Sequence, residues 1–253
     1  MKIALLQMDL AWCDAAENAA RASALMDGVE ADLYVLPEMW ASGFVVQPTA
    51  PLAAASRRAL RWMEAEARRR GAALCGTLLL DSPGGFRNRA CFVAPEGLLA
   101  TYDKRHLFRP GGEAETYAAG RRRRVVEWRG VRMLLLTCYD LRFPVFARNR
   151  GDYDVLLCMA SWPAARQAAW DVLCRARAVE NQCAVVAVNR VGSDPSARYV
   201  GGSVGVDARG EVRASAGSDG RAGAALFEFR PEEQAAFRQK FPAWADADAF
   251  TLR

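Results

Sequence analysis

The chain has 253 residues, 52% of them hydrophobic and 25% charged, with a formal net charge of +5. That balance excludes a disordered polyelectrolyte and supplies apolar side chains for a sizeable core. No apolar run approaches the roughly 20 residues of a membrane span, and a single histidine, His106, cannot support a Cys/His zinc cluster.

The seven cysteines form no Cys-x-x-Cys pair and sit mostly in apolar runs, which fits a reducing compartment. The N-terminal apolar stretch is too short for a signal peptide and ends in Asp9. A cytoplasmic protein with no nucleic-acid or membrane partner is expected. The run Arg121-Arg122-Arg123-Arg124 reads as a solvated loop entering a strand, because no aromatic or Gly-rich nucleic-acid motif surrounds it.

In chain order, residues 2–10 read as a strand buried on both faces, and residues 14–26 as a helix with Asp14 as N-cap. Residues 32–36 form a strand stopped by Pro37. Residues 56–70 form an amphipathic helix with Ser56 as N-cap and Gly71 beyond its end. A strand over 72–80 and a turn at 81–85 follow. Residues 88–94 and 98–103 pair as a hairpin around Pro95-Glu96-Gly97, and 108–120 is a loop rich in glycine and acid. A second hairpin joins 124–128 to 131–137 around Arg129-Gly130. Next come a short helix at 143–150, a strand at 155–160, a long helix at 165–181 and a valine-rich strand at 183–188. Strands at 201–207, 211–214 and 224–229 precede a final helix at 231–240, with Pro231 in its first turn. No linker or repeat divides the chain, so residues 1–253 are expected to be one α/β domain.

Three of these elements end in chemistry. The apolar run to Thr137 delivers Cys138, followed by Tyr139-Asp140-Leu141-Arg142-Phe143-Pro144. Glu38 lies in Leu36-Pro37-Glu38-Met39, and Lys104 in Tyr102-Asp103-Lys104-Arg105-His106-Leu107-Phe108. Amide hydrolysis needs a deprotonated nucleophile, positive charge or donors for the oxyanion, and a proton for the leaving nitrogen. A free thiol ionises near pH 8.5, so about 7 needs a partner base. A partly desolvated Glu38 supplies that base. Lys104 and the N–H of Tyr139, just after Cys138, would face the substrate oxygen. Taken singly, each residue has a plain structural reading: core cysteine, surface lysine, capping glutamate. A Cys138–His106 pair is the other arrangement; the favoured reading of His106 is instead a structural residue that packs and hydrogen-bonds locally. Gly201-Gly202-Ser203-Val204-Gly205 matches the Gly-x-Ser-x-Gly elbow, but His106 precedes the serine and a strand follows it, so the motif is rejected.

The three segments together resemble the nitrilase superfamily, the carbon–nitrogen hydrolases. The resemblance implies Glu38 as general base, Lys104 as oxyanion stabiliser and Cys138 as nucleophile, in a four-layer α-β-β-α sandwich that dimerises. It also implies a second glutamate after the lysine, for which Glu113 is the position that fits and nearby Glu115 the alternative. Within the superfamily the chain is similar to the ω-amidase branch and its bacterial YafV-like proteins. The stretches that carry this are Ser42-Gly43-Phe44, Ala160-Ser161-Trp162-Pro163-Ala164, Arg177-Ala178-Val179-Glu180-Asn181-Gln182, Asn189-Arg190-Val191-Gly192-Ser193-Asp194 and Phe241-Pro242-Ala243-Trp244. That branch implies hydrolysis of the distal amide of 2-oxoglutaramate or 2-oxosuccinamate through a cysteine thioester, without metal or cofactor. An anionic substrate needs a cationic clamp, and Arg142 and Arg166 are the candidates. Arg142 can instead pair internally with a carboxylate, and Arg166 can cap the helix beside it. Phe44 and Trp162 are either pocket walls or ordinary core. Other small amides, deaminated glutathione, N-carbamoyl compounds and a non-catalytic binding role are the alternatives.

Overall fold

The computed structural model describes residues 1–251. In chain order its elements are β1 (Lys2–Gln7), α1 (Ala15–Asp27), β2 (Leu33–Val35), α2 (Ala50–Arg70), β3 (Ala73–Ser82), β4 (Gly85–Ala94), β5 (Gly97–Asp103), α3 (Glu113–Thr116), β6 (Val125–Trp128) and β7 (Val131–Thr137). There follow α4 (Pro144–Ala147), β8 (Val155–Ala160), α5 (Gln167–Asn181), β9 (Ala184–Asn189), β10 (Val191–Ser193), β11 (Arg198–Val200), β12 (Val204–Val206), β13 (Val212–Ser215), β14 (Gly223–Glu228) and α6 (Pro231–Lys240).

The strands build two six-stranded sheets, ordered β14-β1-β2-β3-β4-β5 and β13-β12-β9-β8-β7-β6. In the first, β1, β2 and β3 run parallel and the flanking pairs are antiparallel. The second repeats the scheme around parallel β7, β8 and β9. Strand alternation then sorts the layers. Ile3 and Leu5 of β1 face inward with Phe92, Met133, Leu135 and Leu157, whereas Ala4 and Leu6 pack outward with Ala22, Met26, Ala59 and Met63 of α1 and α2. On the other side Trp170, Cys174 and Ala178 of α5 cover the second sheet. The result is the expected four-layer α-β-β-α sandwich. Each large side chain sealed between the sheets contributes about 1.5–3 kcal/mol.

Asp14 caps α1 as expected, accepting from Ala16 and Glu17 N–H at 3.1 and 3.0 Å. The start of α2 differs from expectation. Thr49 is its cap, with Pro51 in the first turn, and Ser56 is buried inside the helix. Proline suits the first turn because no intrahelical N–H is needed there. The expected strand at 201–207 shrinks to β12, since Gly201 and Gly202 both take positive φ (83° and 81°). The loop after β5 contains α3, and the hairpin β10–β11 has strands too short for any alternation to show. In the arginine run, Arg123 pairs with Asp152, and its three neighbours are exposed. No helix among the described residues is long and apolar enough to cross a membrane.

Candidate active site

The C-terminal ends of the strands β2, β5, β7, β8 and β9 converge, the usual place for a site in an α/β sheet. Glu38 follows β2. Its side chain has no solvent exposure, and its backbone N–H donates to Ala160 O at 3.4 Å. One carboxylate oxygen, Oε2, accepts from Ser161 N at 2.9 Å. The other, Oε1, accepts from Lys104 Nζ and from Asn88 Nδ2, both at 2.8 Å. Met39, next in the chain, has φ 45° and is held by its N–H to Thr77 Oγ1 at 2.7 Å.

Lys104 follows β5 and is equally buried. Its ammonium bonds to Glu113 Oε2 at 2.8 Å as well as to Glu38. Glu113, from α3, also accepts from Asn88 Nδ2 at 2.9 Å and Phe108 N at 2.6 Å. Glu115 is exposed, so Glu113 is the one that meets the lysine. Burial by itself would lower the lysine's pKa, but Glu113, Glu38 and Cys138 around it hold it well above its usual range. Asn88 and the backbone N–H groups of Ser161 and Phe108 supply the remaining donors to the two carboxyl groups.

Cys138 opens a tight turn (Cys138–Arg142) at the end of β7, with φ 45°. A non-glycine residue in this left-handed region costs on the order of 1–3 kcal/mol and persists only where its surroundings enforce it. Asp140 is the enforcer. It is buried and accepts from Thr137 N at 3.0 Å, Tyr102 Oη at 2.7 Å and His106 N at 3.0 Å. His106 turns its Nδ1 to the same carboxylate at 2.7 Å and stacks on Phe143, so it is a structural partner of Asp140. Burial pushes the Cys138 thiol well above its usual pKa, the Glu38 carboxylate beside it adds to the rise, and Lys104 opposes it. These effects favour the protonated thiol of Cys138 beside the Glu38 carboxylate.

Cys138 and Lys104 open into a cavity of about 340 Å³ whose walls include Phe44, Phe108, Tyr139 and Trp162. Tyr139 meets Phe108 edge-on at 5.2 Å, and the Phe44 ring centre is 5.3 Å from Lys104 Nζ. Arg142 and Arg166 line the same cavity. Arg142 is half-buried 4.8 Å from the centre of the Trp162 ring, and Arg166 is exposed 5.1 Å from that of Phe108. Neither forms an ion pair among the described residues. The internal ion pair considered for Arg142 is thus not made. Arg166 stands at the N-cap position of α5 without a side-chain capping bond.

Several contributors escaped sequence reasoning. Asn88 bridges the two carboxylates from mid-strand. Asn189, fully buried, holds Trp162 by both backbone groups: Oδ1 accepts from Trp162 N at 2.7 Å and Nδ2 donates to Trp162 O at 3.0 Å. Tyr199, Ser196 and Ala197 add a further stretch of wall. Their only sequence signal was the Asn189-Arg190 stretch, which named no role. Ser203 of the rejected Gly-x-Ser-x-Gly motif is buried and bonds to the backbone of Asn189.

The carbon-nitrogen hydrolase family model matches residues 2–237. An omega-amidase YafV of Yersinia enterocolitica is 44% identical over all of this chain and 98% of its own length. A 2-oxoglutaramate amidase of Bacillus subtilis is 32% identical over 96% of each chain. Among solved structures, a CN-hydrolase superfamily protein of Xanthomonas campestris, carrying an arsenic adduct in its active site, superposes with a TM-score of 0.90. It is 39% identical and covers 100% of this chain and 99% of its own. The chain belongs to the carbon–nitrogen hydrolase family and is an enzyme of the amidase kind, acting on C–N bonds other than peptide bonds.

Proposed function

We propose that the chain is an ω-amidase that hydrolyses the distal amide of 2-oxoglutaramate or 2-oxosuccinamate to the 2-oxo dicarboxylate and ammonia. The observation that carries this reading is the buried Glu38–Lys104–Cys138 cluster opening into a cavity with two arginines that lack carboxylate partners among the described residues. In the reaction, Glu38 takes the thiol proton as Cys138 sulfur attacks the amide carbon. Lys104 and the N–H of Tyr139 stabilise the oxyanion. Protonated Glu38 then gives its proton to the leaving nitrogen, and ammonia departs from a thioester. Glu38 next removes a proton from water as the water attacks the thioester carbon; the carbon–sulfur bond breaks, and Glu38 returns that proton to the departing sulfur, restoring the thiol. Glu113 keeps Lys104 charged and aimed, so that Lys104 does not neutralise Glu38 alone.

Arg142 is the better anchor for the distant carboxylate. The indole of Trp162 backs its guanidinium, and a planar fork suits a carboxylate. Arg166 stands at the rim. The relatives named above support the substrate class, as amidases of the same length. A single hydrolase domain acting as a homodimer in the cytoplasm, with no cofactor, completes the reading. Exposed Val172 and Val179 on α5, with Phe241 and Trp244 beyond α6, offer apolar surface for a second copy. Sedimentation equilibrium tests that part.

The test of the reaction is ammonia release from 2-oxoglutaramate, glutamine and deaminated glutathione. A clear preference for the first is expected. A preference for either of the others overturns the ω-amidase reading, and an active Cys138→Ala variant overturns the thioester route.

A further inference from the structure

Arg190 is among the largest fully buried side chains, and the proposed reaction does not use it. Its Nε donates to Val191 O at 3.2 Å, and its Nη2 to Leu10 O at 3.4 Å and Ser193 O at 3.2 Å. Nη1 makes no hydrogen bond among the described residues. It lies 3.6 Å from Asp194 Oδ2, in a pair whose side chains are both fully buried. The guanidinium also rests 4.4 Å from the centre of the Tyr199 ring.

Two parts of the cavity wall adjoin this group. Asp194 Oδ1 accepts from Ser196 N and Oγ, both at 2.8 Å, and from Ala197 N at 2.9 Å. Its Oδ2 accepts from Tyr199 Oη at 2.7 Å. One carboxylate thus shapes the wall at residues 196–199. The second part is the turn before Phe44. Gly43 has φ +76°, and a Cβ placed there would lie 2.8 Å from the Trp12 ring and 3.7 Å from Arg190 Nη1. The unbonded nitrogen of Arg190 therefore sits between the Gly43–Phe44 turn and the Asp194 carboxylate. Neither Arg190 nor Asp194 hydrogen-bonds to Glu38, Lys104 or Cys138.

We propose that Arg190, together with Asp194, is a positioning residue that fixes the spacing between Phe44 and the wall at 196–199, and so sets the length of amide the cavity accepts. The inference rests on the cavity being the amide site. A guanidinium can do this because its rigid planar fork holds three carbonyls and faces one carboxylate at once, which a lysine ammonium cannot reproduce. Closely packed walls transmit a change of this kind instead of absorbing it.

The full-length enzyme is compared with its Arg190→Lys, Asp194→Asn and Tyr199→Phe variants, each checked for folding by circular dichroism. One measurement is KM and kcat for 2-oxosuccinamate and 2-oxoglutaramate, which differ by one methylene. The other is the rate at which Cys138 is alkylated by iodoacetamide and by the bulkier iodoacetanilide, read on the peptide that carries it. Arg190→Lys is expected to raise KM about tenfold with kcat within about threefold, and to change the kcat/KM ratio of the two amides about tenfold. It is also expected to raise the bulky-to-small alkylation ratio. Unchanged ratios in both measurements overturn the proposal, as does a loss confined to kcat. If the wild type hydrolyses neither amide, the substrate reading has failed, and the alkylation ratio alone decides for or against the positioning role. If Arg190→Lys does not fold, the two near-isosteric variants carry the same test.

Discussion

Asn88 donates through its single amide nitrogen to Glu38 at 2.8 Å and to Glu113 at 2.9 Å. An amide oxygen turned to that place would face two carboxylates, so the orientation follows from charge alone. Asn88→Asp would put a third carboxylate into a cluster without solvent. A loss of about 3–5 kcal/mol in stability is expected, the usual result of an uncompensated buried charge. Urea unfolding of the variant at pH 7 and pH 5 checks this. Stability close to the wild type at pH 7 would show that the site accepts a further acid at this position without loss, against the prediction.

The two glutamates of the loop after Lys104 should separate cleanly. Glu113 bonds to the ammonium and is buried, whereas Glu115 is exposed. Glu113→Gln is expected to lower kcat by about 100-fold, the scale of a mis-set oxyanion donor. Glu115→Gln should leave kcat within about twofold of the wild type, as for a solvated side chain. Steady-state ammonia release from both variants decides it, and equal losses would refute the distinction.

Arg142 and Arg166 should differ in the same graded manner. A hydrogen bond to a charged group is worth about 1.5–3 kcal/mol, which corresponds to about 10–150-fold in kcat/KM. Arg142→Ala is expected to reach that range on 2-oxoglutaramate, with little effect on the neutral substrate propionamide. Arg166→Ala, at the exposed rim, should cost less on both. An equal loss on charged and neutral amides would remove Arg142 from carboxylate recognition.

The buried thiols make an alkaline prediction. Burial raises Cys75, Cys158 and Cys174, and pushes Cys91 and Cys183 up to about 12. In the unfolded chain these groups ionise near 8.5. Below that pH the thiols are protonated in both states and the fold has its full stability. Above it, the unfolded chain releases protons that the folded chain keeps, so stability falls as pH rises. The slope is about 1.4 kcal/mol per pH unit for each thiol, continuing to about 12 for Cys91 and Cys183. Urea midpoints from pH 7 to 10 should fall increasingly above about 8.5, and Cys183→Ala should shallow the decline. A flat profile would contradict it.

The parts legible in the sequence were those whose signal is local. The residues around Cys138 announce a strand and an arginine within a few positions, and β8 and α6 have the expected limits. What stayed hidden depends on partners distant in the chain. Asn88 reaches Glu38 across 50 residues and Ser161 reaches it across 123, and neither looks unusual among its neighbours. Arg190 closes a valine-rich strand, and only the fold shows that carbonyls from three separate positions meet it. The hairpin β10–β11 has three residues a side, too few for a period of two to declare itself.

Glu38 and Lys104 are carried by the first sheet and Cys138 by the second. On the proposed mechanism, neither half of the chain could therefore act as a weaker version of the whole, because a severed first half would lack Cys138 and a severed second half would lack Glu38 and Lys104. During refolding, ammonia production should begin only when the two sheets dock, lagging behind the far-ultraviolet signal of the strands. Turnover in this protein would thus report the docking of its two sheets.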